Sequence, residues 1–174
     1  KQQMEKLYYE IELPLCCVLY RMECAGVAID AVQLEEFGKM LTQRIAECEA
    51  LIFSYSQEPF NINSTKQLGQ LLFEKLGLPP VKKTKTGYST NADVLEKLKN
   101  KHPIIPAIMD YRMLTKLKST YADGLLKEIR EDGRIHTTFQ NLVTATGRLS
   151  STEPNLQNIP VRTDLGAEIR KMFI

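Results

Sequence analysis

The sequence predicts an α+β fold that is mostly helical, with a helical arm followed by a small antiparallel hairpin. Apolar residues recur at spacings of three and four through most of the first 125 residues, which is the period of helices with one buried face. The tight-turn pair Asp132-Gly133 is followed by two alternating segments, 134–140 and 142–149, which predict the hairpin strands. With 43% hydrophobic and 25% charged residues, the chain can bury a sizeable core.

The first predicted helix covers residues 4–25. Pro14 either kinks it or begins a new helical segment, because proline lacks the N–H that a helix interior requires. Gly26 ends the helix, and residues 27–29 form a brief extended link. The apolar positions of this helix are Leu7, Ile11, Leu15, Val18, Leu19 and Met22.

The next helix starts at Asp30, which forms a capping box with Gln33. Its apolar stripe predicts a face packed on the core and no cofactor site. The four cysteines include no C-x-x-C pair and lie on helical patterns, so we expect reduced, buried thiols and no zinc site. The stripe is Leu34, Phe37, Leu41, Ile45, Cys48 and Ile52, and the other cysteines are Cys16, Cys17 and Cys24.

A short helix follows a second capping box, formed by Ser64 and Gln67. Gly77 ends this helix, and the prolines at 79–80 prevent its continuation. The free N–H groups at its start, beside Asn63 and Ser64, suit a phosphate. A capped helix that simply faces water is the commoner explanation of the same pattern.

Residues 81–91 form a long polar loop in a basic region. Six lysines lie between positions 81 and 101, against only Asp93 and Glu96. Such a loop can grip a phosphate backbone without reading bases, but lysine-rich segments are as often just solvated surface. Thr90 and Asp93 predict a third capped helix start. The candidate contacts here are Lys83, Lys85, Thr86, Ser89, Thr90 and Asn91.

The last long helix begins after His102-Pro103 and continues to Leu125. Near its middle a polar patch, formed by Lys116, Lys118 and Ser119 with Thr120, lies beside the apolar stripe. His102 and His136 have no partners at a spacing that indicates chemistry. At the other end of the chain, residues 170–174 predict the start of an apolar strand.

The segment 146–162 is polar, rich in amides and punctuated by one glycine and two prolines, which excludes a helix. Arginine and carboxamide side chains are the groups that bind phosphate oxygens and base edges. An ordinary surface loop with capping amides is the alternative. The candidate binding residues are Arg148, Asn155, Gln157, Asn158 and Arg162.

The bulk properties exclude several other classes. The formal net charge is only +2, so any attraction to a polyanion must be local. No run of about 18 apolar residues is present, which argues against a membrane span. The N-terminal residues lack the layout of a signal peptide. The reduced thiols expected above are those of a cytoplasmic protein. The chain begins without methionine, which suggests a fragment.

The run TATGRLSSTEPNLQNIPVR, residues 144–162, resembles the segment that opens the palm domain of family A DNA polymerases, the bacterial DNA polymerase I family. Four further matches follow the family's order and cover nearly the whole chain. They are ELPL with RME and GV in residues 12–27, FNINS at 60–64, KTGYST at 85–90, and YR through KLKSTY at 111–121.

This resemblance implies a division into a lead-in helix, a DNA-holding thumb and the entry to a palm. The corresponding ranges are 1–29, 30–130 with a basic tip around 81–91, and 131–174. By resemblance, the thumb candidates named above contact the backbone of a primer–template duplex. The resemblance also implies that Arg148 lies in the minor groove at the primer terminus and that Arg162 lies near the primer end. It implies that the duplex beside Arg148 is lined by Asn155, Gln157 and Asn158.

The resemblance also implies chemistry that this chain does not contain. The family uses two Mg²⁺ ions and a dNTP, held by carboxylate and lysine motifs that would follow Ile174. Asp164 and Glu168 are surface acids, and no catalytic or metal residue is assigned. One departure is Phe139-Gln140-Asn141, whose amide order differs from the family's and puts a role for Asn141 in doubt.

We therefore expect a fragment of a replication or repair DNA polymerase that binds duplex DNA as a monomer, without a membrane partner, and does not extend a primer. The alternatives are a non-catalytic duplex-binding module with a polymerase-type arm, and a helical scaffold with no nucleic-acid partner.

Overall fold

The computed structural model describes residues 4–56, 58–84 and 87–174, and the chain divides into two compact units. Unit 1 comprises Lys1–Gly38 and Ser119–Ile174, and unit 2 comprises Lys39–Lys118. The predicted fold class is confirmed, because helices dominate and the described strands form three antiparallel pairs. The helices are α1 (Glu5–Leu7), α2 (Leu13–Ala25), α3 (Ala31–Ser54), α4 (Thr65–Gly69), α5 (Ala92–Leu98), α6 (Ile104–Leu117), α7 (Asp123–Glu128) and α8 (Asp164–Lys171).

In the described part of the chain, π-helical turns interrupt or extend these helices at Tyr8–Glu12, Gln70–Lys75 and Lys118–Ala122. The strands are β1 (Val27–Ala28), β2 (Lys83–Thr84), β3 (Gly87–Tyr88), β4 (Arg134–Ile135), β5 (Thr138–Gln140) and β6 (Ser150–Thr152). No helix among the described residues is long and apolar enough to cross a membrane.

The first helix of unit 1 follows the predicted outline but not the predicted burial. Pro14 lies at the start of α2, directly after the first π-helical turn, and Gly26 follows its end with φ 62°. Of the apolar positions on α2, only Leu19 is buried. The prediction of buried thiols is therefore wrong for Cys16, Cys17 and Cys24, which are exposed, whereas Cys48 on α3 is half-buried. Burial raises the pKa of the Cys48 thiol.

The strand pairing of unit 1 brings distant parts of the chain together. Val27 pairs with Ile135 in β1–β4, where the sequence predicted only an extended link on one side. The predicted tight turn is confirmed, since Gly133 has φ 74° and its N–H bonds the Arg130 carbonyl at 2.9 Å. Positive φ is the conformation that glycine adopts without strain.

The predicted strand at 142–149 is wrong. The partner of β5 is β6, with Phe139 opposite Ser151, and residues 141–149 form the connection between them. Leu142 and Val143 are 78% and 69% exposed, so neither supplies the buried face that a strand with alternating apolar residues needs.

The C-terminal end of unit 1 also differs from the prediction of a strand at 170–174. Residues Asp164–Lys171 form α8, capped by Thr163, whose hydroxyl accepts a hydrogen bond from the Gly166 N–H at 3.1 Å. An extended contact begins only at Phe173, which bridges to Ile29. The signals for this helix were an N-cap threonine, an acid in the first turn and two bases in the last turn.

Unit 2 is built around one apolar core from α3, α4, α5 and α6 and the turns that follow them. The largest fully buried side chains of this core are Ile52, Leu68, Leu72, Leu95, Leu98, Ile104, Ile105 and Ile108. The predicted cap at Ser64 is confirmed, as its hydroxyl accepts from the Gln67 N–H at 3.4 Å. The third cap is Asn91, whose side chain accepts from the Val94 N–H at 3.0 Å, so the prediction of Thr90 and Asp93 is wrong by one residue.

Candidate nucleic-acid interface

A cleft of about 590 Å³, lined mainly by residues with polar side chains, opens on unit 2 between the start of α4, the end of β3 and α6. Its lining residues come from three separate parts of the sequence. Four of these residues were candidate contacts from the sequence, namely Asn63, Ser89, Thr90 and Asn91. The lining residues are Asn63, Thr65, Lys66, Tyr88, Ser89, Thr90, Asn91 and Arg112. Two cations and several amide and hydroxyl groups therefore face one concave surface, a donor-rich arrangement that suits an anion.

The α4 wall of the cleft is ordered by local side-chain bonds. The Asn61 side chain accepts from the Asn63 N–H at 2.9 Å, and the Gln67 side chain accepts from the Asn61 N–H at 2.8 Å. Asn63 itself is exposed, and its amide donates to the Tyr111 hydroxyl of α6 at 3.3 Å. The loop 61–64 is thus held in one conformation, with Asn63 and the Ser64 cap at the rim.

The opposite wall is fixed where β3 ends and α5 begins. Arg112 donates from one nitrogen to the Thr90 carbonyl and from the other to the Thr90 hydroxyl at 3.2 Å. Thr90 is only 3% exposed, whereas the neighbouring Asn91 is exposed and Ser89 is half-buried. Burial lowers the pKa of Arg112 from its ordinary value, because removal from water disfavours the charged guanidinium.

The strand β3 lies close against α4. A Cβ at Gly69 would stand 3.4 Å from the Tyr88 Cβ and 3.6 Å from the Tyr88 carbonyl oxygen, which is ordinary contact distance. The Tyr88 ring also packs on Phe73, with ring centroids 4.9 Å apart. These contacts hold β3 against α4 at the wall of the cleft.

The basic tip is a hairpin of β2 and β3, in which Lys83 pairs with Tyr88 and the Ser89 N–H bonds the Lys82 carbonyl at 2.9 Å. Two of the predicted contacts, Lys85 and Thr86, lie outside the described residues. Lys116 is exposed near the end of α6, Lys118 is half-buried in the third π-helical turn, and Ser119 is exposed next to it.

On unit 1, the segment 146–162 is organised by a pair of buried hydroxyls. The Thr137 and Ser151 oxygens are 2.6 Å apart, and Thr137 donates to the Pro154 carbonyl at 2.8 Å. The Ser151 oxygen also accepts from the Leu156 N–H at 3.1 Å. Both side chains are nearly inaccessible, at 4% and 0% exposure. The irregular loop is therefore held from beneath by bonds that a helix or sheet would otherwise supply.

The five predicted residues of the segment 146–162 are all exposed: Arg148, Asn155, Gln157, Asn158 and Arg162. Two of these five, Asn155 and Gln157, form local hydrogen bonds through their side chains. The Asn155 side chain accepts from the Gln157 N–H at 3.0 Å, and the Gln157 amide donates to the Leu149 carbonyl at 2.8 Å. The buried Tyr121 donates its hydroxyl to the Asn158 carbonyl, and burial raises the pKa of Tyr121. The backbone of the segment is thus fixed at both of these points.

The helix α8 approaches the same segment without room for a side chain. A Cβ at Gly166 would stand 2.3 Å from the Pro160 carbonyl oxygen and 2.8 Å from its carbon. Only glycine permits this contact between two backbones. The absence of a side chain at Gly166 therefore helps to set the position of Pro160 and of Arg162 two residues later.

Among the described residues, no group of three or more His, Cys, Asp or Glu side chains could hold a metal ion. The exposed Asp164 and Glu168 lie on α8, and Glu168 pairs with Lys171 at 2.6 Å.

Residues 31–174 match DNA polymerase family A. The chain belongs to this family. It is 54% identical over 170 residues to DNA polymerase I of Bacillus subtilis (strain 168), covering 97% of this chain and 19% of that protein. It is 53% identical over 171 residues to the thermostable DNA polymerase I of Thermus aquaticus, covering 97% of this chain and 21% of that protein.

A solved structure, described as the POL domain of Pol1 from M. smegmatis in complex with DNA primer-template and dNTP, is 45% identical and superposes with a TM-score of 0.89. The match covers 98% of this chain and 30% of that one. The chain thus spans about a fifth of the length of the curated polymerases it matches. The resemblance stated from the sequence motifs is confirmed at the level of the family.

Several residues of the interface were not assigned from the sequence. Arg112 follows a buried tyrosine in an apolar stripe, and only the fold shows that it reaches Thr90. Lys66 lies two residues after the Ser64 cap, in the first turn of α4, a position from which a cation could have been expected to face the same anion. Thr137 and Ser151 carried no signal, because two hydroxyls that are 14 residues apart meet only through the β5–β6 pairing.

Proposed function

We propose that this chain is the primer–template-binding part of a DNA-directed DNA polymerase that acts in replication or repair. The observation that carries the proposal is the cleft of unit 2, where Lys66 and Arg112 face Asn63, Ser89 and Asn91 in a chain of DNA polymerase family A. The similar POL domain bound to primer-template and dNTP supports the same assignment.

On this proposal the cleft binds the duplex through its phosphates. Lysine and arginine neutralise phosphate charge, whereas the amides and hydroxyls donate hydrogen bonds that fix the register of the strand. Neither kind of contact depends on base sequence, which suits an enzyme that copies any template. The proposal extends to Ser64, Lys83, Lys116, Lys118 and Ser119, and to Lys85 and Thr86 on the strength of the sequence alone.

The segment 146–162 is proposed to contact the minor groove near the primer end. Every correct base pair presents acceptors there, at purine N3 and pyrimidine O2. Arg148 and the amides of Asn155, Gln157 and Asn158 carry N–H donors on exposed side chains. Donors at fixed positions can check the shape of a base pair without reading its identity. Arg162 is proposed to lie next to the primer end.

The chemical step belongs to other residues. Two Mg²⁺ ions and a dNTP are proposed for the whole polymerase, but the described acids of this chain form no group suited to a metal ion. The chain's own part is to bind and orient the primer end. We further propose a monomeric protein of the bacterial cytoplasm that is associated with the nucleoid. Its proposed parts are a lead-in at 1–29, a thumb at 30–130 and a palm entry at 131–174.

The salt dependence of duplex binding tests whether the cleft contacts phosphates. Lys66→Ala should weaken binding of a primer–template duplex in fluorescence anisotropy and reduce the log–log salt slope by about 0.9, the value for one lost phosphate contact. The matched control is Lys75→Ala, which lies on the same unit outside the cleft and pairs with Glu58 at 3.4 Å. Equal salt slopes for the two variants, or no duplex binding by the unaltered chain, would contradict the proposal.

A second experiment addresses Arg148 in the longer polymerase that contains this chain. Arg148→Ala should impair primer extension far more than duplex binding, because a minor-groove donor at the primer terminus acts mainly when that terminus reacts. Equal losses in extension and binding would refute the assigned role. A parent protein that binds duplex but performs no template-directed synthesis with Mg²⁺ and dNTPs would favour the non-catalytic binding module.

A further inference from the structure

Arg112 holds Thr90 by two hydrogen bonds to two different atoms. One guanidinium nitrogen bonds the Thr90 carbonyl and the other bonds the Thr90 hydroxyl at 3.2 Å. A guanidinium is planar and directs its N–H groups in a fixed fork, so the pair sets both the distance and the orientation of residue 90. The residues are 22 positions apart, and the bonds join α6 to the junction of β3 and α5.

This junction carries the candidate phosphate contacts of one wall of the cleft. Ser89 precedes Thr90, and its N–H closes the tip hairpin on the Lys82 carbonyl at 2.9 Å. Asn91 follows Thr90 and caps α5 through the Val94 N–H. Thr90 is buried between them, so it cannot itself be a major surface for the duplex. Its position nevertheless decides where both neighbours point.

The surroundings of Arg112 also fit a positioning role. The side chain is half-buried, and burial lowers its pKa, so its charge is partly withdrawn from water and committed to protein acceptors. It lines the cleft together with Ser89 and Asn91. A lysine at this position would keep the charge but could not reproduce the two-atom fork.

We propose that Arg112 is a positioning residue for duplex binding, which acts through Thr90 to set Ser89 and Asn91 against the phosphate backbone. The inference rests on the proposed function of the cleft. It assigns Thr90 a buried role as the acceptor for Arg112, in place of the direct DNA contact expected from the sequence. It also separates Arg112 from Lys66, which acts in the cleft by its charge.

The test compares Arg112→Lys, Thr90→Val and Thr90→Ser with the unaltered chain, using anisotropy titrations of a primer–template duplex over a range of salt concentrations. Arg112→Lys should weaken binding at least about tenfold, the order of one charge-assisted hydrogen bond, with an unchanged salt slope because the charge remains. Thr90→Val removes the hydroxyl acceptor but keeps the carbonyl, so it should cause a smaller loss, and Thr90→Ser, which keeps the hydroxyl, should retain most of the affinity.

The double variant Arg112→Lys with Thr90→Val distinguishes action through Thr90 from independent effects. It should bind no more weakly than Arg112→Lys alone, because the loss of the guanidinium fork already removes the bond to the Thr90 hydroxyl that valine deletes. Hydrogen exchange provides the check on folding. Amides of residues 89–94 should exchange faster in both single variants, while amides of the core helix α6 around Ile108 should keep their protection.

Each outcome decides between named alternatives. If Arg112→Lys binds as tightly as the unaltered chain, Arg112 acts by charge alone and the positioning role is overturned. Additive losses in the double variant, or lost protection throughout α6, would likewise overturn it. If the unaltered chain shows no salt-dependent duplex binding, the proposed function fails before the role of Arg112 is reached.

Discussion

Gly166→Ala tests the contact between α8 and the segment 146–162. Gly166 is in the first turn of α8, where its N–H bonds the Thr163 hydroxyl at 3.1 Å. A Cβ there would stand 2.3 Å from the Pro160 carbonyl oxygen, whereas real Cβ atoms essentially never approach another heavy atom within 3.0 Å. The obstructing atom belongs to the backbone, so the segment itself must move.

Two opposing contributions set the magnitude. Alanine is favoured over glycine in a helix by up to about 1 kcal/mol. Overpacking of a tight contact costs about 1–3 kcal/mol, and the upper part of this range applies when backbone must shift. We expect a net loss of about 1–2 kcal/mol in the free energy of unfolding, which is a fall of about 2–8 °C in Tm for a chain of this size.

Thermal unfolding followed by circular dichroism measures this change. The matched control is Gly38→Ala, since Gly38 is also a buried helical glycine of unit 1 but its Cβ would stand 3.5 Å from the Ala122 Cβ, in ordinary contact. This control should gain up to about 1 kcal/mol from helix propensity. A Gly166→Ala variant as stable as the control would refute the close approach of α8 to Pro160.

Three further predictions concern the cleft, the turn before β4 and the core. Asn91→Asp should keep the cap on the Val94 N–H and lose little stability, whereas Asn91→Ala should lose about 1 kcal/mol. The carboxylate of Asn91→Asp should nevertheless weaken duplex binding in anisotropy titrations, because it repels phosphate. Unchanged affinity would contradict the proposed role of the cleft. The His136 hydrogen bond holds the pKa of Asp132 below its ordinary value, so the stability it contributes is present above the unfolded pKa of about 3.9 and is lost as the pH falls through the lower folded value. Urea unfolding of Asp132→Asn should lack that acid-side loss, and an identical pH profile would contradict the assignment. Ile108→Ala, at a position with 0% exposure, should cost about 2–5 kcal/mol in urea unfolding, and a loss below about 1 kcal/mol would exclude a well-packed core there.

The helices were predictable because their signals are local. The stripe on α3 buries Leu34, Phe37 and Leu41 as its spacing predicts, and the Asp30 cap bonds the Gln33 N–H at 2.9 Å. Periodicity and capping depend on residues within one or two turns, so the sequence displays them directly.

The errors lie where a distant partner overrides the local pattern. Thr90 resembles a helix cap, but its hydroxyl accepts a hydrogen bond from Arg112. The next residue, Asn91, caps α5 instead. The segment 142–149 alternates enough to predict a strand, yet its Leu142 and Val143 are both exposed, and β5 pairs with residues farther along the chain. The thiols of α2 are a different case, because the helical pattern on which they lie does not bury them among the described residues.

The sequence by itself determined the family and the chemical character of the interface, because ordered motifs and the donor groups of Arg148, Asn155 and Gln157 are properties of residue type and order. Only the tertiary structure decided which groups converge. The fork of Arg112 on Thr90, the hydroxyl pair beneath the segment 146–162 and the contact of Gly166 with Pro160 each join residues that are not sequence neighbours. Such contacts depend on the packing of whole elements, which a local pattern does not contain.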